Sequence, residues 1–397
     1  MKKVGIVLYA LLGWRKMRKT IVLKTTMNCN QRCSYCYEFN KGETNDRIKK
    51  TIEISRIKEL LVKCSKLFPD IDILWMFHGG EPLLNSPKYF SDFCDCLNSI
   101  NESGIVKYQT AIQTNGTLIT DEWIGLFEKY SNILSERIIS VSIDGPEKIH
   151  NSARKTINKL NTFDMVMNGI NKIKKSNLNF TTISVVGKHN IDYPDEMYDF
   201  ILSLNPNFSK FIPCYNFDSK GDFDEYGISP IEYASFMKRI FYRWSKDIHT
   251  FGKNGMFVID PLITIISKII NQPVTWCEYR TEKCDNFLSI FPDGDLWLCD
   301  TYTSDLKKYA HLGNIFSMDD EALKEVFYKP NSICDYDSLY LGLSEYCKKC
   351  EIQQYCNGGC LPYRKQMLNA SKKLFNEYCL GKRELINYVK NSIDKLI

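Results

Sequence analysis

The amino-acid sequence predicts an α/β protein, in which a partial (β/α)6 TIM-type barrel of parallel strands precedes a small cysteine-rich domain. Three observations lead to this fold class. From about residue 20, short β-rich runs alternate with longer helical patterns. Polar segments follow several of these apolar runs, and cysteines are dense towards the C-terminus. A chain of 397 residues has room for one large domain and a smaller one.

Six candidate strands are apolar and mostly β-branched or aromatic, as expected for strands that are buried on both faces. They cover residues 20–26, 73–77, 108–113, 138–143, 180–186 and 208–214. Helical patterns lie between them at residues 48–67, 86–100, 121–130, 162–175 and 193–204. Because helices that join parallel strands cross over outside the sheet, we expect functional residues where the strands end.

The pattern changes after residue 214. An acidic, glycine-containing loop (216–227) is followed by helical patterns at 231–246 and 261–270. Between residues 276 and 379, regular structure is predicted to be short, as in a domain whose core is metal rather than hydrocarbon. We therefore divide the chain into an N-terminal extension (1–19), a core domain (20–230), a bridging region (231–276) and a cysteine-rich domain (277–397).

Composition and charge exclude several classes of protein. With 44% hydrophobic and 25% charged residues, the chain is expected to be globular. Its net charge of +5 is scattered, which indicates a solvated surface and no nucleic-acid partner. The apolar run at residues 4–14 is too short to span a membrane, and a basic cluster (15–19) follows it instead of a cleavage site. We expect a cytoplasmic protein without a membrane partner.

Sixteen cysteines in a long chain require either disulfides or metal ligation, and their spacing has to decide. Cys29, Cys33 and Cys36 form a CxxxCxxC loop directly after the first strand. Three thiolates can hold three irons of a [4Fe-4S] cubane and leave the fourth iron open, and an incoming ligand can be activated at an open metal position. A zinc knuckle is the alternative, but no fourth Cys or His lies close by in sequence.

This spacing, with an aromatic residue before the third cysteine, resembles the defining motif of the radical S-adenosylmethionine (SAM) superfamily. Tyr35 occupies the aromatic position. The resemblance implies that the open iron binds SAM, that one-electron reduction cleaves SAM to methionine and a 5′-deoxyadenosyl radical, and that Tyr35 lies near the adenine. Gly79, Gly80 and Glu81 follow the second strand and are similar to the family motif that contacts the SAM amino group. The glycines would allow close approach of the backbone.

Two further segments resemble this family. Gln113 and Asn115 end the third strand, and Ser142 ends the fourth. The resemblance implies that Asn115 belongs to the cofactor site, that Ser142 contacts the ribose or the carboxylate of SAM, and that Gln113 lies at the cofactor and faces the substrate. Arg154 occupies the arginine position of an HDxxR-like element, which implies a contact with the SAM carboxylate.

We expect structural roles for two polar residues beside these segments. Asp144, just after the fourth strand, is expected to be a helix N-cap or a turn former. His189, after the fifth strand, is expected to be a structural or surface residue, since nothing else in the sequence converges on it.

The C-terminal cysteines form a second motif. In order, they are Cys277, Cys284, Cys299, Cys347, Cys350, Cys356, Cys360 and Cys379. The last seven resemble the SPASM extension of radical SAM enzymes, and all eight match the number that two fully ligated [4Fe-4S] clusters require. The family's interleaved pairing implies one cluster on Cys277, Cys284, Cys299 and Cys360, and another on Cys347, Cys350, Cys356 and Cys379. A zinc ribbon remains the alternative. Cys64, Cys94, Cys96, Cys214 and Cys334 are expected to be ordinary thiols.

Asp300 directly follows Cys299. In relatives that oxidise a sulfatase Cys or Ser, an aspartate here is the proposed general base. A raised pKa is expected beside an anionic cluster, which would suit a proton acceptor, while a hydrogen-bonding role near the cluster is the alternative.

The motifs indicate an enzyme with SAM and three [4Fe-4S] clusters that acts on a peptide or protein. We favour a thioether or carbon-carbon crosslink in a ribosomally made peptide, for which a separate protein can bind the leader peptide. The alternative is formylglycine formation in a sulfatase. A flavodoxin- or ferredoxin-type reductant is expected in both cases. A non-catalytic electron-transfer or zinc-binding protein is a third hypothesis, but an electron carrier gains nothing from an open iron.

Overall fold

The computed structural model describes residues 17–40, 50–218, 220–247, 258–274, 276–302, 304–330 and 336–393. The predicted N-terminal extension lies outside this range up to residue 16, and residues 17–19 belong to the first strand. The predicted start of the first helix, at residue 48, and Cys334 also lie outside the described residues.

All six predicted strands are present, with ends shifted by four residues or fewer. The strands of the described chain are β1 (Met17–Thr26), β2 (Ile71–Gly79), β3 (Gln109–Thr114), β4 (Leu134–Ser142), β5 (Asn179–Val186), β6 (Phe208–Pro213), β7 (Val258–Asp260), β8 (Phe287–Ile290), β9 (Asp295–Trp297) and β10 (His311–Asn314). They form one sheet in the order β10-β9-β8-β1-β2-β3-β4-β5-β6-β7. Neighbours from β8 through β1 to β7 are parallel, whereas β9 pairs antiparallel with β8 and β10.

The α-helices within the described residues are α1 (Tyr37–Asn40), α2 (Ile54–Leu67), α3 (Pro87–Glu102), α4 (Asp121–Lys129), α5 (Glu147–Ala153), α6 (Phe163–Lys174), α7 (Pro194–Leu204), α8 (Pro230–Asp247), α9 (Leu262–Ile269), α10 (Asp320–Tyr328), α11 (Tyr336–Ser344), α12 (Gln353–Cys356), α13 (Leu361–Ala370) and α14 (Lys372–Ile393). The predicted helices between the strands correspond to α2, α3, α4, α6 and α7. Ser86 and Thr120 cap α3 and α4, and each side chain accepts a backbone N–H of the first turn. No helix among the described residues has the length and apolar character that a membrane crossing needs.

The parallel strands read as nearly continuous apolar runs because helices cover the sheet. Ile21, Leu23, Trp75 and Ile139 are essentially inaccessible to solvent. Since parallel strands β1 to β4 end at the same edge, the polar segments that follow them meet there. This edge positions the candidate site.

The C-terminal cysteine-rich region shares the sheet and the hydrophobic core with the barrel. Its strand β8 pairs directly with β1, and Leu288, Ile290 and Leu296 are fully buried in the common core. Helix α14 lies close against α8, since a Cβ on Gly381 would fall 2.4 Å from the Pro230 carbonyl oxygen. The expectation of a core made of metal rather than hydrocarbon is therefore wrong for this region.

Candidate active site

A cavity of about 790 Å³ opens where the barrel meets the cysteine-rich region. Cysteines from both motifs line it: Cys29, Cys33, Cys36, Cys277, Cys284, Cys299 and Cys360. Of the predicted SAM contacts, Tyr35, Gly79, Gly80, Gln113, Asn115, Ser142 and Arg154 also line it. The fold thus brings most of the predicted site residues to one cavity.

The CxxxCxxC loop directly follows β1 and is anchored by its backbone. Ser34 N–H donates to the Ala153 carbonyl at 2.9 Å. Burial raises the pKa of Cys29 to about 11 and that of Cys36 to about 12. Metal ligation requires thiolates, so iron binding here has to displace the thiol protons. The Asn115 amide lies 3.8 Å from the Cys29 sulfur, which places the end of β3 against this loop.

The glycine pair after β2 packs directly on the same loop. A Cβ on Gly80 would lie 2.1 Å from the Asn28 carbonyl oxygen, a distance that no side chain can occupy. The Gly80 N–H donates to Thr26 at 3.0 Å. Glycine is required at position 80 because two backbone segments meet there.

The Glu81 carboxylate lies away from the cavity, although the motif resemblance predicts a contact with the amino group of SAM. This carboxylate is fully buried and does not line the cavity. It accepts hydrogen bonds from Leu83 N–H at 2.9 Å, and from the Thr114 hydroxyl and Asn115 N–H at 2.7 Å each. Both carboxylate oxygens therefore tie the end of β2 to the end of β3, and the part of the motif that faces the cavity is Gly79 and Gly80.

The donors of Arg154 and Gln31 suit an anionic ligand. Arg154 Nη1 donates to the Tyr35 hydroxyl at 2.7 Å, and Nη2 lies 3.5 Å from Gln31 Oε1. Among the described residues, Arg154 Nε and Gln31 Nε2 are buried without a hydrogen-bond partner. Buried donors of this kind normally have a partner, so the carboxylate of SAM fits this wall of the cavity.

Asp144 is neither an N-cap nor a simple turn former, so that expectation is wrong. Its carboxylate is completely buried, accepts Val185 N–H at 3.0 Å and accepts the Tyr35 hydroxyl. His189 is not on the surface: its side chain is 2% exposed and its Nε2 lies 3.4 Å from Asp144 Oδ2. The motif residues gave no sign of this network, because its members are distant in sequence.

Asp300 lies at the cavity wall within a cluster of charges that the sequence did not reveal. The Lys24 ammonium contacts Asp300 and also lies 2.5 Å from Glu38 Oε1. The Tyr37 hydroxyl donates to Asp300, and His78 Nδ1 lies 3.8 Å from Asp300 Oδ2. Glu38, His78 and Asp300 could together ligate a cation, but the Lys24 ammonium already contacts both carboxylates.

The protein groups around Asp300 lower its pKa. Burial alone would raise it, but the Lys24 ammonium and the Tyr37 hydroxyl hold the pKa of this carboxyl well below its usual range. Burial likewise works against the charge of Lys24, yet Asp300 and Glu38 raise the pKa of Lys24 above its usual value. Asp300 is therefore a paired carboxylate whose oxygens face charged and polar donors.

The C-terminal cysteines separate into two places. Cys277, Cys284, Cys299 and Cys360 line the cavity, whereas Cys347, Cys350, Cys356 and Cys379 do not. Besides burial, Cys277 and Cys299 lie close enough to raise the thiol pKa of Cys360. Burial also raises the pKa of the Cys379 thiol, and the nearby Cys347 and Cys350 raise it further. The described cysteines form no disulfide.

Arg364 is a site residue that sequence reasoning missed. It is 1% exposed, and its Nη1 lies 3.4 Å from the Cys347 sulfur and 2.8 Å from the Gly358 carbonyl oxygen. Its Nη2 donates to the Leu343 carbonyl at 2.9 Å. A buried guanidinium beside Cys347 would offset the negative charge of a thiolate at this position.

Comparisons with known proteins agree with this site. Residues 23–201 match the family model of the Radical SAM superfamily. A cysteine-type anaerobic sulfatase-maturating enzyme of Clostridium perfringens is 27% identical over 378 residues, which cover 93% of this chain and 95% of that protein. A serine-type anaerobic sulfatase-maturating enzyme of Bacteroides thetaiotaomicron is 25% identical over 384 residues, or 92% and 88% of the two chains.

Solved structures show the same fold. Native anSMEcpe with bound AdoMet and Cp18Cys peptide has a TM-score of 0.77 at 23% identity and covers 96% of this chain and 98% of that chain. Streptococcus suis SuiB bound to precursor peptide SuiA has a TM-score of 0.57 at 16% identity, with 93% and 76% coverage. The predicted radical SAM barrel with a C-terminal SPASM-type domain is confirmed. Residues 23–201 thus form a Radical SAM superfamily domain, and the chain is similar over nearly its whole length to the anaerobic sulfatase-maturating enzymes.

Proposed function

We propose that this enzyme oxidises a cysteine or serine side chain of a protein substrate to formylglycine, the reaction of anaerobic sulfatase maturation. The observation that carries the proposal is similarity over nearly the whole chain to both cysteine-type and serine-type maturating enzymes. Modification of a ribosomally made peptide by crosslinking, which the sequence alone favoured, has weaker support, since SuiB bound to a precursor peptide shares the fold at a TM-score of only 0.57 and 16% identity. The comparisons favour the alternative over the first hypothesis.

The residues present fit the cofactors that this chemistry requires. Cys29, Cys33 and Cys36 would hold the [4Fe-4S] cluster that binds SAM, and the eight C-terminal cysteines would hold two auxiliary clusters. Gly79 and Gly80 would let the backbone approach SAM, and Arg154 would bind its carboxylate. When the first cluster is reduced and SAM is bound to it, the two together supply the 5′-deoxyadenosyl radical that removes a hydrogen atom from the substrate Cβ.

After hydrogen abstraction, residues of the chain would remove a proton and an electron from the substrate. Oxidation of the side chain removes one hydrogen atom, one proton and one electron in total. Asp300 would accept the proton from the substrate thiol or hydroxyl at a carboxylate oxygen, since it lies in the cavity wall beside Cys299. Lys24 lowers the pKa of Asp300, so this role rests on the position of the carboxylate and not on its basicity. The cluster on Cys277, Cys284, Cys299 and Cys360 would accept the electron. A serine then yields the aldehyde directly, whereas a cysteine yields a thioaldehyde that water converts to the aldehyde and hydrogen sulfide.

A peptide assay tests the proposal. The anaerobically reconstituted enzyme is incubated with SAM, a reductant of the flavodoxin or ferredoxin type, and sulfatase-derived peptides that carry either Cys or Ser at the target position. We expect an aldehyde that reacts with a hydrazide probe, and transfer of deuterium from the labelled Cβ to 5′-deoxyadenosine. Asp300→Asn should still form 5′-deoxyadenosine but lose most of the aldehyde.

Other outcomes point to the competing functions. An internal thioether or carbon-carbon bond, without aldehyde, would overturn the proposal in favour of crosslinking, for which a separate leader-peptide-binding protein is predicted. An iron-replete protein that releases no 5′-deoxyadenosine would contradict any radical function and indicate electron transfer.

A further inference from the structure

Four side chains from four separate segments form a buried row behind the SAM wall of the cavity. They are Arg154, Tyr35, Asp144 and His189, and their residues or side chains are 7%, 6%, 0% and 2% exposed. Arg154 and Tyr35 line the cavity, whereas Asp144 and His189 lie behind them. The row therefore has one end at the ligand and the other in the protein interior.

The Tyr35 hydroxyl connects the two charges of this row. It accepts a hydrogen bond from Arg154 Nη1 at 2.7 Å and donates its single proton to Asp144 Oδ2. The other carboxylate oxygen accepts Val185 N–H at 3.0 Å, so Asp144 is fixed to β5. Arg154 is thus held in place through a hydroxyl whose own direction is set by a fixed carboxylate.

His189 completes the row from the other side. Its ring stacks on Tyr35 with a centroid distance of 5.3 Å and an interplanar angle of 21°. Its Nε2 lies 3.4 Å from Asp144 Oδ2. Gly187 leaves the space for this ring, since a Cβ there would lie 3.1 Å from His189 Nδ1. The Tyr35 ring is therefore confined on its inner face while its hydroxyl is bound at the edge.

We propose that Asp144 and His189 are positioning residues for SAM, which orient the Arg154 guanidinium and the Tyr35 ring without touching the ligand. Arg154 lines the cavity and its buried Nε has no partner within the described structure, so the direction of the guanidinium matters for ligand binding. This role depends on the SAM site alone and is independent of which peptide bond or side chain the enzyme modifies.

The test measures SAM binding to the cluster-loaded protein, which requires no peptide substrate. Asp144→Asn keeps the shape of the side chain but removes its charge, Tyr35→Phe keeps the ring but removes the link, and His189→Phe keeps the stacking but removes the imidazole. We expect the Kd for SAM to rise about tenfold or more for Asp144→Asn and Tyr35→Phe, and several-fold for His189→Phe. The electron paramagnetic resonance change of the reduced cluster on SAM addition should weaken in parallel.

A double-mutant comparison separates positioning from general damage. If the Tyr35 hydroxyl transmits the effect of Asp144, then Tyr35→Phe with Asp144→Asn should bind SAM about as well as either single variant. Asp199→Asn, which removes an exposed carboxylate paired with Arg243 at 2.5 Å, is the matched control and should keep the wild-type Kd. Fully additive effects of Tyr35→Phe and Asp144→Asn on the Kd for SAM would overturn the proposal. If Asp144→Asn does not fold, wild-type SAM binding by both Tyr35→Phe and His189→Phe would overturn it.

Discussion

Lys24 lies on the barrel strand β1 yet contacts residues of both cysteine motifs. Its ammonium lies between Glu38, two residues after Cys36, and Asp300, one residue after Cys299. The Lys24 side chain is 1% exposed, so water cannot compensate if one partner is lost. A single buried cation therefore stabilises two carboxylates and holds the candidate base at the cavity wall.

Substitutions at this cation should separate stability from catalysis. Lys24→Met leaves two carboxylates facing one another and should lower the free energy of unfolding by about 3 kcal/mol or more. Lys24→Met with Glu38→Gln removes the repulsion and should recover most of that loss. Because Asp300 still lacks its partner, the double variant should form 5′-deoxyadenosine with little product. Thermal unfolding and the ratio of product to 5′-deoxyadenosine measure both effects, and a fully active double variant would contradict this role of Lys24.

His150 gives the enzyme a predictable sensitivity to acid. It accepts Asp144 N–H at 3.3 Å and lies 3.0 Å from the Thr162 hydroxyl, so the ring is neutral. Burial lowers its pKa to about 3. In the unfolded chain His150 becomes protonated near pH 6.5, whereas in the folded protein it stays neutral. The free energy of unfolding therefore falls as the pH drops below that value.

At pH 5.5 this single group should lower the free energy of unfolding by about 1 kcal/mol relative to pH 7.5. His150→Gln removes the titration, so its loss of stability between these pH values should be smaller by the same amount. Denaturant unfolding of both proteins at the two pH values checks the difference. Equal losses in wild type and variant would show that His150 is not responsible.

At the scale of elements, the ends of β1, β2 and β3 form one unit around the first cysteine motif. Glu81 ties β2 to β3, and Gly80 lets β2 approach the segment that leads into Cys29. The position of the glycine motif relative to the cluster loop is thus set by backbone contact and by a buried carboxylate. Both contacts are made by the protein alone, without a cofactor.

Gly80→Ala should disrupt this unit, because the added methyl group would lie 2.1 Å from the Asn28 carbonyl oxygen. We expect lower iron content after reconstitution and loss of measurable SAM binding. Gly125→Ala is the control, since a Cβ there, in the middle of α4, meets nothing within 4 Å. That change should leave both readouts intact and stabilise the protein by up to about 1 kcal/mol. Normal SAM binding by Gly80→Ala would contradict the close approach.

At the scale of the whole molecule, the cavity lies between the barrel and the cysteine-rich region, which share one sheet through β1 and β8. Tyr37 directly follows the first motif and hydrogen-bonds Asp300, which directly follows Cys299 of the second, so the two cysteine motifs lie next to each other. In the proposed function, radical formation and electron acceptance would therefore take place around one substrate.

Iron counting tests the assignment of the C-terminal cysteines. The wild-type protein should contain about twelve irons per chain, and Cys360→Ser should contain about eight, because it removes a ligand of the auxiliary cluster at the cavity. Cys96→Ser, at a cysteine on α3 outside both motifs, should retain all three clusters. Zinc in place of iron, or an unchanged iron count in Cys360→Ser, would contradict the assignment.

The sequence by itself determined the six parallel strands, the helices between them and the two cysteine motifs, and the resemblance of these motifs to the radical SAM superfamily indicated the chemistry. These follow from local patterns: apolar periodicity, glycine positions and cysteine spacing are all readable within a few tens of residues. Gly79 and Gly80 line the cavity, as predicted from their resemblance to the family motif and their position one strand after the CxxxCxxC loop.

Only the tertiary structure decided the charges and hydrogen bonds of the site. Lys24 and Asp300 are 276 positions apart in sequence and Tyr35 and Asp144 are 109 apart, so no local pattern could pair them. The same reason explains the error on Asp144, and why the partners of Glu81 and Asp300 were not foreseen. The energy of a buried polar group depends on the partners that the fold brings to it, and those partners come from segments distant in sequence.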